Sequence, residues 1–211
     1  MRVRHLGVRV TAIAATDDAK AALRAALRAR RAALAPADVA RGSASLTEAL
    51  LGHPAWSAAR SIAAFVGVRG EPDTWALLHD AWSRGVEVWL PWVRGDALAF
   101  VRTVDRAQLV PGCFGLLEPA PGTEPPRALA EVAPPLVLVP GLGFGRDGAR
   151  IGFGRGYYDR ALGPLRDRAD VLRLGVAFRT FVDPIEGPIP MDAHDVPMHA
   201  LLTDAGVLAC S

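Results

Sequence analysis

The stretch that most narrows what this chain can fold into runs from Leu136 to Leu162 and reads LVLVPGLGFGRDGARIGFGRGYYDRAL. It opens with an apolar run of strand length, Leu136 to Val139, between Pro135 and Pro140. A run of that kind, bounded by breakers, reads as a buried strand. Seven glycines follow within sixteen residues, from Gly141 to Gly156, and Tyr157 to Leu162 then reads as the start of a helix. Strand, glycine-rich loop and helix start together form a common support for phosphate. Glycine lets the backbone approach an anion closely, and free N–H groups at a helix start can point at it. Arg150 and Arg155 add fixed positive charge to the same loop.

Glycine spacing alone leaves three readings open, of which the phosphate loop is one. Gly143, Gly145 and Gly148 also satisfy G-x-G-x-x-G after a strand, the dinucleotide pattern. In that pattern the helix opens within the glycines, whereas here a second cluster, Gly152, Gly154 and Gly156, intervenes. A nicotinamide dehydrogenase would also need an acid at the end of the next strand. Asp167 and Asp170 instead precede the strand expected over residues 171–178. The third reading is a surface loop or hairpin without a ligand. No Walker A ending in Gly-Lys-Ser/Thr is present.

The chain has 211 residues, enough for one domain with a sizeable core. It is 51% hydrophobic and 22% charged, with no apolar run near the ~20 residues that span a bilayer. A soluble, cytoplasmic monomer without a membrane partner is expected. Cys113 and Cys210 support neither a disulfide framework nor a zinc site. A net charge of +2 gives no footprint for nucleic acid. Lys20 is the only lysine among 24 basic residues. A lysine kept against that arginine bias is a candidate for function, and a solvated residue in a helix's first turn is the competing reading.

Residues 1–16 are expected to be a loosely attached extension, and residues 17–211 the folded domain. Asp17 is placed to cap a helix over residues 18–34, stopped before Pro36. Leu23, Leu27 and Leu34 would form its apolar face, with Lys20, Arg24, Arg28 and Arg31 as a basic ridge beside it. A second helix is expected over residues 36–51, with Leu46, Leu50 and Leu51 toward the core, and a third from Glu71 to near Gly85. Strands are expected at residues 61–66, 86–92, 97–104, 136–139, 171–178 and 199–203, with a tight turn at Arg94-Gly95-Asp96. Residues 121–135 carry five prolines and read as a long surface connection. Strands alternating with helices predict an α/β three-layer domain with a largely parallel sheet.

The longer string PGLGFGRDGARIGFGRGYYDR resembles the signature of the 5-formyltetrahydrofolate cyclo-ligase family, approximately PGxxFxxxGxRxGxGxGYYDxxL. Pro140, Gly141, Phe144, Gly148, Arg150, Tyr157, Tyr158, Asp159 and Leu162 fill its positions, with Gly152, Gly154 and Gly156 between them. The string KAALR, Lys20 to Arg24, is similar to the family's KxxLR start. Phe65 and Glu71 fit its aromatic-ended strand followed by E-x-x-T. Residues 109–119 resemble its L-x-x-G-x-x-G-I-x-E-P segment. Residues 190–195 resemble its P-x-E-x-H-D, with Asp192 in the acidic position.

The resemblance runs in order from Lys20 to about Val207 and implies a single αβα domain of Rossmann-like architecture. It also implies an ATP- and Mg²⁺-dependent ligase that closes 5-formyltetrahydrofolate, with or without a polyglutamate tail, to 5,10-methenyltetrahydrofolate. ADP and phosphate would be released. Carried over residue by residue, Lys20, Arg24, Arg150, Gly152, Gly154, Arg155, Gly156, Tyr157 and Tyr158 would bind ATP. Val66, Glu71, Phe153 and Tyr157 would face the folate, and Asp159 and Asp195 would hold Mg²⁺, a hard cation suited to carboxylate oxygens. Lys20 and Arg155 would supply the electrostatics of phosphoryl transfer, and no side chain is assigned as general acid or base. The chain departs from the family pattern at Gly145, where Asp is usual, and at Phe181, where Gln is common. These departures keep open a regulatory module that binds nucleotide or folate without turning it over.

Overall fold

The structure, a computed structural model, describes residues 6–112 and 115–211, the side chains of residues 6–16 excepted. The start of the expected extension, residues 1–5, and Cys113 lie outside the described residues. Helix α1 (Leu6–Ala32) begins well before Asp17, so that residue sits inside the helix and does not cap it. Residues 6–16 contain no proline, and their one glycine, Gly7, stands at the far end, so extending the helix backward from Asp17 meets no proline and no new nucleation penalty. Helix α2 (Pro36–Leu51) starts on a proline in its first turn, where the missing N–H removes no hydrogen bond. Leu46 and Leu50 are buried, but Leu51 is 40% exposed. One residue beyond Leu50 is a rotation of about 100° around the helix, which carries Leu51 off the core face.

The chain continues through α3 (Pro54–Ala58), β1 (Ser61–Ala63), α4 (Trp75–Ser83), β2 (Glu87–Arg94), β3 (Ala97–Thr103), β4 (Leu109–Pro111) and β5 (Leu117–Pro119). It then forms α5 (Leu129–Val132) inside the proline-rich connection, followed by β6 (Leu136–Pro140), β7 (Gly143–Phe144), β8 (Arg150–Ile151) and α6 (Tyr157–Leu162). It ends in β9 (Leu172–Val176), β10 (Ala200–Thr203) and β11 (Gly206–Ala209). Seven strands form one sheet in the order β11-β10-β9-β6-β1-β2-β3. Pairing is parallel from β10 through to β2 and antiparallel at the two edges, β10 with β11 and β2 with β3. The edge strand β11 was not expected from the sequence.

Strand β6 explains the three layers. Leu136 and Leu138 pack in one core with Leu46 and Leu50 of α2 and Leu77 and Leu78 of α4. Val137 and Val139 point the other way, into a core with Leu23 and Leu27 of α1 and Leu162 of α6. A strand covered on both faces has no polar side to show, hence the unbroken apolar run. No helix among the described residues is long and apolar enough to cross a membrane.

Two connections set where a ligand can go. From β1 the chain moves through α4 to β2 on one side, and from β6 through α6 to β9 on the other. Neighbouring strands whose connections diverge leave a crevice outside their carboxyl ends, the usual ligand position in open α/β sheets. The glycine stretch hangs from the end of β6. Its first part is a hairpin, with Gly143 opposite Ile151 and Phe144 opposite Arg150. Gly143, Gly145 and Gly148 therefore belong to a hairpin and its turn, where Gly148 takes φ +84, and they do not open a helix. The dinucleotide reading fails on that geometry. Helix α6 has only six residues, so positive charge in the crevice comes from side chains and not from a long helix dipole.

Candidate active site

A cavity of about 1180 Å³ opens at the carboxyl ends of β1 and β6. Every site residue expected from the sequence lines it: Lys20 and Arg24, Val66 and Glu71, the run from Arg150 through Asp159 apart from Ile151, and Asp195. Ile151, Arg28 and Arg31 line it too.

One wall is the basic ridge of α1. Lys20 is buried, with its Nζ donating to Asp192 Oδ2 at 2.7 Å and to Asp195 Oδ2 at 2.6 Å. Burial works against the ammonium charge, but the hydrogen bonds and charges of the two aspartates outweigh it and raise the Lys20 pKa. Asp195 Oδ2 also accepts from the Asp192 amide at 2.9 Å, and Arg166 donates to the carbonyls of Ala193 and Asp195. The 192–195 segment is thus fastened against α1 and the turn that follows α6. One and two turns along, Arg24 Nε donates to Gly152 O at 3.2 Å and Arg28 Nη2 to Phe153 O at 2.8 Å. The two arginines tie the glycine loop to α1.

Arg150 also lies beside the glycine loop; its Nη2 donates to Asp159 Oδ1 at 2.5 Å, and its guanidinium lies 5.8 Å from the centre of the Tyr158 ring. Deeper in, Arg31 pairs with Glu71 at 3.4 Å and donates to Gly141 O. Glu71 Oε2 accepts from the Val68 amide at 3.2 Å. Burial lifts the Glu71 carboxyl above its usual range, with Arg31 pulling against it. Burial likewise lowers Arg31, with Glu71 pulling the other way. Both directions describe one charge pair in a dry pocket. The Tyr158 hydroxyl is driven upward by burial and then by the Glu71 charge, and it has no hydrogen-bond partner. Glu71 reaches this pocket because it precedes α4 and is not part of it. The turn into α4 is held instead by Asp73, which accepts from the Trp75 amide at 2.8 Å, and by Thr74, which donates to Phe65 O at 2.6 Å.

Sequence reasoning placed Arg31 on the ridge but gave it no part in the site; its spacing from Arg28 was the signal. It also left Glu118 without a role, though the residue is buried and lines the cavity. Gly145 and Phe181 do not line the cavity. A Cβ on Gly145 would come within 2.3 Å of Asp147 Oδ1, which accepts from the Ala149 amide at 3.0 Å. Phe181 is a core residue whose ring lies under the guanidinium groups of Arg30 and Arg31, at 4.5 Å and 5.4 Å.

No cluster of three or more His, Cys, Asp or Glu side chains suited to a metal occurs among the described residues. Asp159 and Asp195 nevertheless bring two carboxylates to a cavity lined by many cations. Mg²⁺ is commonly held by one or two carboxylates together with phosphate oxygens and water. Each carboxylate has one oxygen paired to a cation, Asp159 with Arg150 and Asp195 with Lys20, which leaves the second oxygen of each for a magnesium ion that arrives with a nucleotide.

A sequence model described as the 5-formyltetrahydrofolate cyclo-ligase family matches residues 16–204. The 5-formyltetrahydrofolate cyclo-ligase of Mycolicibacterium smegmatis is 35% identical over 156 residues, covering 71% of this chain and 77% of that one. The mouse (Mus musculus) protein of the same name is 28% identical over 88% of this chain and 94% of its own. Among solved structures, the 5,10-methenyltetrahydrofolate synthetase of Aquifex aeolicus superposes with a TM-score of 0.76 at 29% identity, covering 90% and 92% of the two chains. The synthetase of Mycoplasma pneumoniae, at 19% identity and a TM-score of 0.68, shares the fold over 88% and 98%.

Proposed function

Since the chain belongs to the 5-formyltetrahydrofolate cyclo-ligase family, whose members are ligases, we propose that it closes 5-formyltetrahydrofolate to 5,10-methenyltetrahydrofolate in a reaction driven by ATP, with ADP and phosphate as the other products. The observation that supports this most is convergence. Residues from α1, the β1–α4 loop, the glycine stretch and the 192–195 segment line one cavity at the divergence of β1 and β6.

The formyl oxygen is a weak leaving group until it carries a phosphoryl group. The formyl oxygen takes the γ-phosphoryl group as its bond to ADP breaks. N10 then attacks the formyl carbon and gives up its proton to solvent, and phosphate departs with the C–O bonding pair. Such a transfer asks the protein mainly for alignment and for cations around the moving charge. Lys20 has three N–H donors, and two of them are taken by Asp192 and Asp195. The third remains for a phosphate oxygen. Arg24 and Arg28 each use part of their guanidinium to hold the loop and keep the rest for the triphosphate. Arg155 lines the same cavity. Asp159 and Asp195 would hold a magnesium ion, which would supply neutralisation of the phosphate charge.

Glu71, kept in place by Arg31 and the Val68 amide, orients the folate. Val66 gives it an apolar wall. Phe153 is half exposed at the rim, with Arg28 and Arg31 at 5.8 Å and 5.9 Å from its ring centre, and offers a flat apolar surface beside Tyr157. The test is the absorbance of methenyltetrahydrofolate formed from 5-formyltetrahydrofolate, with and without Mg-ATP. Product that needs both nucleotide and metal is expected. Binding of both substrates with no product would instead identify a regulatory module.

A further inference from the structure

Resting on the folate reading above, we propose that Glu118 is the residue that reads the aminopyrimidine edge of the pterin. Glu118 lies on β5 at the end of the LVPGCFGLLEP segment, to which the reaction described above gives no role. It is 5% exposed, it lines the cavity, and its Oε1 has no hydrogen-bond partner. The other buried carboxylate of the cavity differs. Glu71 has Arg31 as a counter-charge and the Val68 amide as a donor. A buried carboxylate oxygen without a partner is unfavourable for the free protein, and native structures rarely keep one without use.

The surroundings narrow the ligand. Leu116, Leu117, Val66, Pro91 and Leu98 line the cavity with Glu118, as does Arg69, so apolar side chains and a carboxylate are offered to one ligand. The other carboxylate oxygen rests against Gly112, where a Cβ would come within 2.3 Å of Oε2. Glycine at that position leaves room for the carboxylate beside the β4–β5 hairpin. Rotation about the terminal bond exchanges the two oxygens, so either can turn to a ligand. A flat heteroaromatic ring with paired N–H donors on one edge suits such a pocket. The 2-amino-4-oxo pterin has that edge, in N3–H and the 2-amino group. The free carboxylate oxygen can accept from that edge in a charge-assisted hydrogen bond. ATP does not match, because its adenine edge alternates donor and acceptor.

The experiment compares wild type, Glu118→Met and Glu118→Gln in steady-state kinetics and melting. Two substrates are used: 5-formyltetrahydrofolate, and its analogue with a methyl group in place of the 2-amino group. Methionine keeps the length of the side chain and removes the orphaned charge. Glu118→Met is therefore expected to melt no lower than wild type while its KM for 5-formyltetrahydrofolate rises on the order of 10- to 100-fold. The KM for ATP should stay the same. Wild type should reject the analogue, and Glu118→Met should treat the two compounds nearly alike. Glutamine keeps one acceptor and should fall between.

Unchanged folate KM in both variants would overturn the assignment. So would a parallel loss of folate affinity, ATP affinity and melting temperature, which would mark Glu118 as structural. Should Glu118→Met not fold, Gly112→Ala displaces the carboxylate without deleting it, and an unchanged folate KM there would also refute the proposal. A wild-type protein that forms no methenyl product refutes the catalytic reading alone. Dissociation constants for the same two compounds then decide the role of Glu118.

Discussion

Replacing Lys20 with methionine tests how the cationic wall is built. The substitution keeps most of the alkyl stem and a helix-compatible residue while removing the charge. From the sequence alone, a lysine on a helix could be deleted with little effect on folding. In the structure Lys20 is buried and bridges two carboxylates 172 and 175 residues away. Removing one member of a buried ion pair costs about 3–5 kcal/mol because it strands the partner's charge. Here the Asp195 side chain is 17% exposed and that of Asp192 is 42% exposed, so water screens much of that. A loss of about 1–3 kcal/mol is the fitting range, and at about 2–4 °C per kcal/mol for a chain of this size the melting temperature should fall by about 2–12 °C.

The remaining N–H donor predicts a second effect. A charge-assisted contact to phosphate is worth about 1.5–3 kcal/mol, so the Kd for Mg-ATP should rise roughly 10- to 150-fold. Isothermal titration gives that Kd, and thermal melts give the stability. The pH dependence has a definite sign. The folded Lys20 pKa lies above its ordinary value of 10.5, so its stabilisation is complete below that pH and fades as pH rises through the folded value. The gap in melting temperature between wild type and Lys20→Met should be flat from neutral pH to about 10 and close above it. An Asp195→Asn background should reduce the effect of Lys20→Met on stability, since the pair is then already broken. A variant that melts within about 1 °C of wild type and binds ATP normally would refute the bridging role.

Glu71→Gln should raise the folate KM about tenfold or more and leave ATP binding intact, while its melting temperature falls because Arg31 is left buried without its counter-charge. Asp159→Asn should lower kcat on the order of 100-fold and raise the Mg²⁺ concentration needed for half-maximal rate, with folate binding kept; normal turnover would make Asp159 only a partner for Arg150. Phe181→Gln, which installs the residue common in the family, should destabilise the chain by about 1–3 kcal/mol by burying an amide under Arg30 and Arg31. It should also raise the folate KM through Arg31 and Glu71, and stopped-assay kinetics beside a melt would show whether the two effects travel together.

What the sequence made legible was local. Strand β6 announced itself because both its faces are covered, and α2 begins where Pro36 dictates. The string from Arg150 to Asp159 is short enough that residue order carries the geometry. Long-range pairing left no such trace. Nothing near Lys20 in sequence signals Asp192 and Asp195, and nothing near Arg31 signals Glu71 across 40 residues. Where the reading went astray, a local rule had been applied too literally. Asp17 is a good cap, but the residues before it propagate a helix just as well. Leu51 belongs to an apolar triplet but not to the face that Leu46 and Leu50 define. Strand β11 has three half-covered residues and an exposed Ala209 at a sheet edge, and a four-residue apolar run of that kind is too short for its periodicity to declare a strand.

The glycines of the loop take on a different meaning once side chains are in view. Read as sequence, they suggest a backbone bared so that phosphate can come close. In the structure much of the space beside them is already filled by guanidinium groups. A Cβ on Gly152 would come within 2.8 Å of Arg150 Nη1, one on Gly154 within 3.3 Å of Arg24 Nε, and one on Gly156 within 2.8 Å of Arg160 Nη1. The glycines therefore seat arginines from α1, β8 and α6 against the loop backbone. Arg24 and Arg28 donate to loop carbonyls, and Arg160 donates to the Arg155 carbonyl. Each of these bonds turns a carbonyl, which would repel phosphate, toward a cation. A loop held this way presents guanidinium charge where a bare turn would present mixed dipoles. The density of arginine around it then follows from the same requirement as the density of glycine.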